Sequence, residues 1–304
     1  MKKLLFATTD YQYLAQKVLD LGSFEKGEVE TRFFTDGERY QRIISEVANR
    51  EVILIGGTIH EAATLELFDL ASALVSYGVD SLSLVVPYYG YSTMERAVKS
   101  REIVTAKTRA RLFSAIPQSH KGNRIYLFDL HTEGIPHYFE QNLHPTHVYC
   151  KPIVIDACRQ YGGSDFVLAS TDAGRAKWVE SLANDMSVGA AFILKRRIRD
   201  GHTEISAVNA DVRGKIVIIY DDMIRSGSSI INAAKTYHAE GAEKIYLITS
   251  HGLFVGDGLD KIKASGIIEK VICTDSHANV ESIQDDFLEV RSIAPLINTQ
   301  IGDQ

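Results

Sequence analysis

Short apolar runs alternate along the chain with stretches of helical periodicity, the pattern of parallel strands covered by helices. In the first half it predicts strands near Leu4–Thr8, Val29–Phe34, Glu51–Gly56, Leu82–Tyr88 and Ile125–Leu130, with helices near Tyr11–Leu21, Ala62–Tyr77 and Ile103–Ala115. In the second half it predicts strands near Phe166–Ser170, Ala190–Leu194, Ile216–Tyr220, Ile245–Thr249 and Val271–Cys273, with helices over about Arg175–Asn184 and Ser229–His238. Ile216–Tyr220 is apolar at every position, which suits a strand buried on both faces of a sheet. The two halves are alike, so the fold class is α/β with two tandem domains. The polar stretch around Glu140–Pro145 predicts the boundary, giving a first domain over 1–145 and a second over 146–285.

Composition narrows the class of protein. A chain of 304 residues with 45% apolar content can fill a core in each of two domains. The net charge of −6 gives no sequence-independent footprint for nucleic acid, so any phosphate recognition must be local. Cys150, Cys158 and Cys273 are an odd set without CxxC spacing, which fits reduced, buried thiols and predicts a cytoplasmic protein. The apolar start Leu4-Leu5-Phe6-Ala7 is broken at once by Thr8-Thr9-Asp10 and reads as a strand rather than a leader. No apolar segment approaches the roughly 18 residues needed to cross a bilayer, so no membrane partner is expected.

The chemistry gathers at strand ends. Asp221 and Asp222 follow a buried strand, and Ser226, Gly227, Ser228 and Ser229 then form a small-residue turn that opens a helix. Ligands of open α/β sheets bind at the carboxyl ends of strands, and converging N–H groups at a helix N-terminus hold phosphate. The run therefore reads as a sugar-phosphate cradle. Asp129 and His131 end another strand, and Asp172, with Ala173 and Gly174, ends a third. Together these acids suit oxygen-rich Mg²⁺ coordination completed by phosphates; singly, each also fits a capped turn or a core histidine. Lys195-Arg196-Arg197-Ile198-Arg199 is read as a mobile loop, either a plain solvated one or one that closes over a polyphosphate.

With these residues in place, the chain resembles the ribose-phosphate pyrophosphokinases (phosphoribosyl-pyrophosphate synthetases) nearly end to end. The carriers are Phe34-Thr35-Asp36-Gly37-Glu38, Val86-Pro87-Tyr88-Tyr89-Gly90-Tyr91, Thr105-Ala106-Lys107, Asp129-Leu130-His131, Asp172-Ala173-Gly174, Lys195-Arg196-Arg197 and Asp221-Asp222-Met223. The resemblance implies two phosphoribosyltransferase-type domains, the first on the nucleotide side and the second on the sugar-phosphate side. It also implies a tail over 286–304 packing back on the first domain, an active site between the domains, and assembly as homodimers or hexamers. The implied reaction moves the β,γ-diphosphate of Mg-ATP to the anomeric hydroxyl of ribose 5-phosphate. Lys195 and Arg197 match the catalytic cations; Phe34, Asp36 and Glu38 match an adenine pocket completed across a subunit interface; His131, Asp129 and Asp172 match contacts to Mg-ATP. Asp221 and Asp222 match the acids that hold the ribose hydroxyls, and Ser226–Ser229 the cradle of its 5-phosphate.

The chain also departs from the family pattern. Tyr91-Ser92-Thr93-Met94-Glu95 replaces Tyr-Ala-Arg-Gln-Asp, and Val98 replaces an acid, so either ATP is held differently or Arg96, Lys99 and Arg101 compensate. Arg225 stands where the family has an acid beside the phosphate loop, and Arg175 replaces a glycine. Guanidinium groups suit additional phosphate oxygens, so ADP-ribose is the alternative acceptor, giving ADP-ribose pyrophosphate for NAD resynthesis. Arg225 pointing into water or pairing with Glu240 is the plain reading. Thr93, Met94 and Val98 suit a catalytically silent synthetase-associated protein. Retention of Lys195, Arg197, Asp129, His131 and the Asp221–Asp222 pair suits an enzyme, and the tandem halves with Phe34–Glu38 separate it from a phosphoribosyltransferase.

Overall fold

The computed structural model describes residues 2–140, 143–171, 174, 176–197 and 203–302, with the backbone alone at 194–197 and 203–207. The chain forms two compact units, Met1–Tyr149 with Ile293–Gln304, and Cys150–Ser292.

In the first unit the elements run β1 (Leu4–Ala7), α1 (Gln12–Leu19), β2 (Glu25–Lys26), β3 (Val29–Phe33), β4 (Arg39–Ile43), β5 (Glu51–Ile55), α2 (Glu61–Ser76), β6 (Ser81–Val86), α3 (Thr105–Ser114), β7 (Asn123–Phe128) and β8 (Leu143–Val148). Six of the strands form one sheet in the order β2-β1-β5-β6-β7-β8, parallel throughout. β3 and β4 stand apart as an antiparallel hairpin. The period-2 pattern of Val29–Phe34 marks a strand but not its partner, and β3 is largely exposed because it joins no buried sheet. The core packs Leu4, Phe6, Val52, Leu54 and Leu84 of the sheet against Leu67, Leu70 and Leu74 of α2 and Phe113 of α3.

The second unit continues with α4 (Lys151–Gly162), β9 (Phe166–Ser170), α5 (Ala176–Met186), β10 (Gly189–Ala191), β11 (Ile193–Arg197), β12 (Thr203–Val208), β13 (Ile216–Ile224), α6 (Ser228–Ala239), β14 (Lys244–Gly252), α7 (Gly258–Ala264), β15 (Lys270–Thr274) and β16 (Leu288–Arg291). Its sheet, β10-β9-β13-β14-β15-β16, repeats the first strand for strand, and β11–β12 form a second antiparallel hairpin. The apolar run of β13 is covered on both faces. Val217 and Ile219 meet the cluster that holds Ile230, Tyr237 and Ile262, while Ile218 and Tyr220 meet Val154, Val179 and Leu182. Trp178 stacks on Tyr220 at 4.4 Å between ring centroids.

Several boundaries differ from the sequence reading. Leu143–Val148, inside and just past the expected polar boundary, is the parallel edge strand β8, so the first unit runs to Tyr149. An edge strand needs little apolar content on its open side, which is why His144, Pro145 and His147 sit in it. Residues 288–291, expected in the tail, form β16 of the second unit. The last helix, α8 (Ala294–Gly302), belongs to the first unit, where Lys3 Nζ donates to the Ile301 carbonyl at 2.7 Å. Lys195–Arg197, expected in a loop, lie in β11 and pair with 203–205 past a bulge after Leu194.

Candidate functional site

In the second unit β13 runs on past its apolar stretch. β9 stops pairing with it at Ser170, opposite Tyr220, but β14 keeps pairing through Asp221 opposite Thr249, Met223 opposite His251 and Ile224 opposite Gly252. Asp221 and Asp222 are thus strand residues rather than loop residues. They protrude one step beyond the neighbouring strand, at the sheet's carboxyl end. Alternation sends their side chains to opposite faces. Asp221 stays partly accessible and is oriented at both oxygens: the Thr171 hydroxyl donates to Oδ2 at 3.2 Å and the Asp222 N–H to Oδ1 at 3.0 Å. Asp222 is buried.

The turn that follows is tight and opens α6. Gly227 lies at φ +77°, a left-handed conformation that costs glycine little, and a Cβ there would sit 2.7 Å from Ile262 Cγ1. Gly227 is the N-cap of α6 and, having no side chain, offers no side-chain cap to the first N–H groups of the helix. Arg225, Ser226, Ser228 and Ser229 are exposed around it, with the Ser226 and Ser228 hydroxyls 3.4 Å apart. The loop is braced from behind. The Leu253 and Phe254 N–H groups donate to the Ile224 carbonyl, and the Val255 N–H donates to that of Arg225 at 2.9 Å.

In the first unit Asp129 follows β7, buried and at φ +35°, with its N–H donating to the Val148 carbonyl at 3.0 Å. That unusual backbone at a strand end turns the chain towards half-buried His131. His147 of β8 accepts from the Leu130 N–H at 2.9 Å and so pins the same turn. Phe34, Asp36 and Glu38 form the exposed tip of the β3–β4 hairpin. The Phe34 N–H donates to the Glu38 carbonyl, the Glu38 N–H to Asp36 Oδ1 at 3.0 Å, and the Arg32 guanidinium lies 4.3 Å from the Tyr40 ring centre. Arg96 and Arg101 are exposed in the segment after Tyr91. Arg96 lies 3.5 Å from Glu95, and Glu102 ties that segment by accepting from the Val98 and Lys99 N–H groups.

Asp221, Asp222 and Arg225–Ser229 are therefore one contiguous constellation, and Asp129 with His131 is another on the other unit. Asp172 lies outside the described residues, as do the side chains of Lys195 and Arg197. Among the described residues no group of three or more His, Cys, Asp or Glu side chains is placed to hold a metal. On the first unit Asp129 and His131, a carboxylate and an imidazole at one strand end, are donor types that suit a cation taking most of its ligands from phosphate and water.

Two groups went unseen in the sequence. Thr171 reads as a turn residue, yet its hydroxyl orients Asp221. Glu61, Tyr91 and Arg109 converge from three elements: the Tyr91 hydroxyl donates to Glu61 at 2.5 Å, Arg109 pairs with the same carboxylate, and its guanidinium lies 5.5 Å from the Tyr91 ring centre. The Tyr91 hydrogen bond, then the Arg109 charge, hold the Glu61 carboxyl below the usual carboxylate range. Pairs 30 and 48 residues apart leave no local signal.

Comparisons with known proteins agree with this architecture. Residues 3–116 match the N-terminal domain of ribose phosphate pyrophosphokinase, and residues 167–301 match the phosphoribosyl synthetase-associated domain. Ribose-phosphate pyrophosphokinase 5, chloroplastic, of Arabidopsis thaliana is 30% identical over 98% of this chain and 75% of its own length. The ribose-phosphate pyrophosphokinase of Fusobacterium nucleatum is 28% identical over 95% of this chain and 90% of its own. The crystal structure of phosphoribosylpyrophosphate synthetase from Mycobacterium smegmatis superposes with a TM-score of 0.87 at 26% identity, covering 99% of this chain and 98% of that one. With two tandem phosphoribosyltransferase-type domains and relatives named as pyrophosphokinases over nearly its full length, the chain belongs to the ribose-phosphate pyrophosphokinase family of transferases.

Proposed function

We propose that the protein transfers the β,γ-diphosphate of ATP to the anomeric hydroxyl of ribose 5-phosphate. The observation that carries this reading is the extension of β13, which puts Asp221 and Asp222 at a strand end followed by a serine-rich turn and the glycine N-cap of α6. Acceptor-only carboxylates suit the vicinal hydroxyls of a ribose ring, and the turn with the start of α6 suits its 5-phosphate. Thr171 and the Asp222 N–H orient the two oxygens of the Asp221 carboxylate at the strand end.

The acceptor C1 oxygen attacks the β-phosphorus in line, the bond from that phosphorus to the α,β-bridging oxygen breaks, and AMP leaves while the hydroxyl proton passes to solvent. His131, Asp129 and Asp172 are the residues that would hold Mg²⁺, which when bound would neutralise the charge developing on the transferred group. Lys195 and Arg197 supply cations for the same charge. Phe34 offers an exposed aromatic face for adenine, with Asp36 and Glu38 as acceptors beside it, and Arg96 and Arg101 are positive side chains available to the triphosphate.

Arg225 supports a second reading. It is exposed at the entrance of the phosphate turn, where a guanidinium suits the second phosphate of ADP-ribose. One experiment addresses both: AMP release from Mg-ATP is followed with ribose 5-phosphate and, separately, with ADP-ribose, and the products are identified by mass. AMP and phosphoribosyl pyrophosphate with the first acceptor are expected. AMP chiefly with ADP-ribose would give Arg225 that role, and no AMP with either would leave the silent-partner reading.

A further inference from the structure

The β3–β4 hairpin is hydrogen-bonded to no strand of the main sheet, and four of the five residues of β3 are exposed. Between it and the body of the first unit lies a cleft of about 630 Å³, lined on the body side by Ala7, Thr9 and Gln12 and on the hairpin side by Val29, Thr31 and Gln41. A carboxylate spans that cleft. Glu66, on α2, keeps only 3% of its side chain exposed, and its neighbours come from both sides. From the body, the Thr9 N–H and hydroxyl donate to Oε1 at 3.1 and 2.8 Å. From the hairpin, Gln41 Nε2 donates to the same oxygen at 2.9 Å, and Arg39 Nη1 lies 3.4 Å from Oε2. The Arg39 guanidinium also reaches the Ala62 carbonyl on the first turn of the same helix.

A buried carboxylate is tolerated only while its donors stay in place, because removing one partner exposes the cost of desolvating the charge. Two of the donors to Glu66 are the first and third residues of β4, directly after the turn that carries Phe34, Asp36 and Glu38. Swinging the hairpin by a few ångströms would strip Glu66 of Arg39 and Gln41 together. We propose that Glu66 is a positioning residue, the buried anchor that sets the hairpin on the first unit and so sets where its tip meets the nucleotide. This rests on the reading of Phe34, Asp36 and Glu38 as adenine contacts, but the anchoring itself does not.

The test uses the full-length protein and two variants, Glu66→Gln, nearly isosteric and uncharged, and Arg39→Met, which removes the partner charge from the hairpin side. Backbone hydrogen exchange is read segment by segment beside steady-state kinetics. In both variants exchange over 29–43 should speed up at least tenfold while β5 and β6 keep their wild-type protection. KM for ATP should rise about tenfold, with kcat and KM for the acceptor within twofold of wild type. Unchanged hairpin exchange in both variants, or faster exchange spread evenly through the first unit, would overturn the proposal, as would faster hairpin exchange with an unaltered KM for ATP. A wild-type protein that releases no AMP with either acceptor would sink the functional reading, and the exchange data would still decide the anchor.

Discussion

The two units share one strand order and even one insertion, an antiparallel hairpin between the second and third sheet strands in chain order, yet they end their central strands differently. β5 stops at Ile55 and is followed by Gly56 and Gly57, packed so tightly that a Cβ on Gly57 would lie 2.2 Å from the Tyr11 hydroxyl. β13, at the same place in its sheet, continues to Ile224 and carries Asp221 and Asp222 out to the turn that starts α6, whose residues Arg225, Ser226, Ser228 and Ser229 are exposed. One scaffold thus supplies a closed strand end and an open acidic one. The difference teaches that the sheet provides the platform and that a few residues past the last shared strand position decide what it can bind.

The strongest way to break the comparison is to remove the charges assigned to the open end. Asp221→Asn should cut kcat/KM for the acceptor by a hundredfold or more, about 3 kcal/mol of transition-state binding, with far-UV circular dichroism unchanged. Lys195→Ala should lower kcat by about a thousandfold at unchanged thermal midpoint, the scale of losing a phosphoryl-transfer cation. Near-normal turnover in either variant would move the chemistry away from the second unit.

A smaller effect sharpens the contrast between the two strand ends. Gly227→Ala meets both a left-handed backbone and Ile262, so a loss of about 2 kcal/mol in stability is expected together with a raised KM for the acceptor. Gly57→Ala has no left-handed backbone to strain, and its nearest neighbour is the Tyr11 side chain. It should lower the melting temperature by a similar amount and leave that KM unchanged. Denaturation curves and acceptor titrations on the pair separate a binding turn from a packing turn. Equal rises in KM would show that the difference between the ends is only one of shape.

Much of this was legible in the sequence because the central strands are apolar at every position and the acids follow them directly. Ile216–Tyr220 announces its own burial, and Ser226–Ser229 announces a turn by size. What escaped was set by partners distant in sequence. The register that carries β13 to Ile224 depends on β14 continuing through His251, and nothing in Asp221-Asp222-Met223 alone says strand rather than loop. β8 and β16 are edge strands with polar residues, so their alternation is weak. Lys195–Arg197 read as a loop because three cations in a row suggest solvent, whereas pairing with 203–205 makes them a strand. Thr171 and Glu66 are ordinary by type and gain their roles only from what reaches them across the fold.

The smallest effect concerns how the outer edge of the second sheet is held. β16 is its last strand, and its Arg291 is mostly buried: Nη1 pairs with Asp156 of α4 at 2.6 Å, Nε with Glu289 at 2.8 Å, and Nη2 donates to Gln160 at 2.5 Å. The Tyr161 hydroxyl donates to Glu289 from the other side. Partial burial pushes the Glu289 carboxyl up, but the Tyr161 and Arg291 hydrogen bonds outweigh it and hold the group below the usual glutamate range. A carboxyl depressed on folding stabilises the protein above its unfolded pKa, and that contribution is lost as pH falls through the lower folded value. Arg291→Ala should therefore cost about 1–2 kcal/mol at neutral pH, and the gap in melting temperature between variant and wild type should narrow below about pH 4 as Glu289 protonates in both. In the first unit the matching edge strand, β8, is pinned through His147, which accepts from the Leu130 N–H. If the gap stays constant down to pH 3, Arg291 acts through the packing of its alkyl stem rather than through charge, and the two edges are held by the same kind of force.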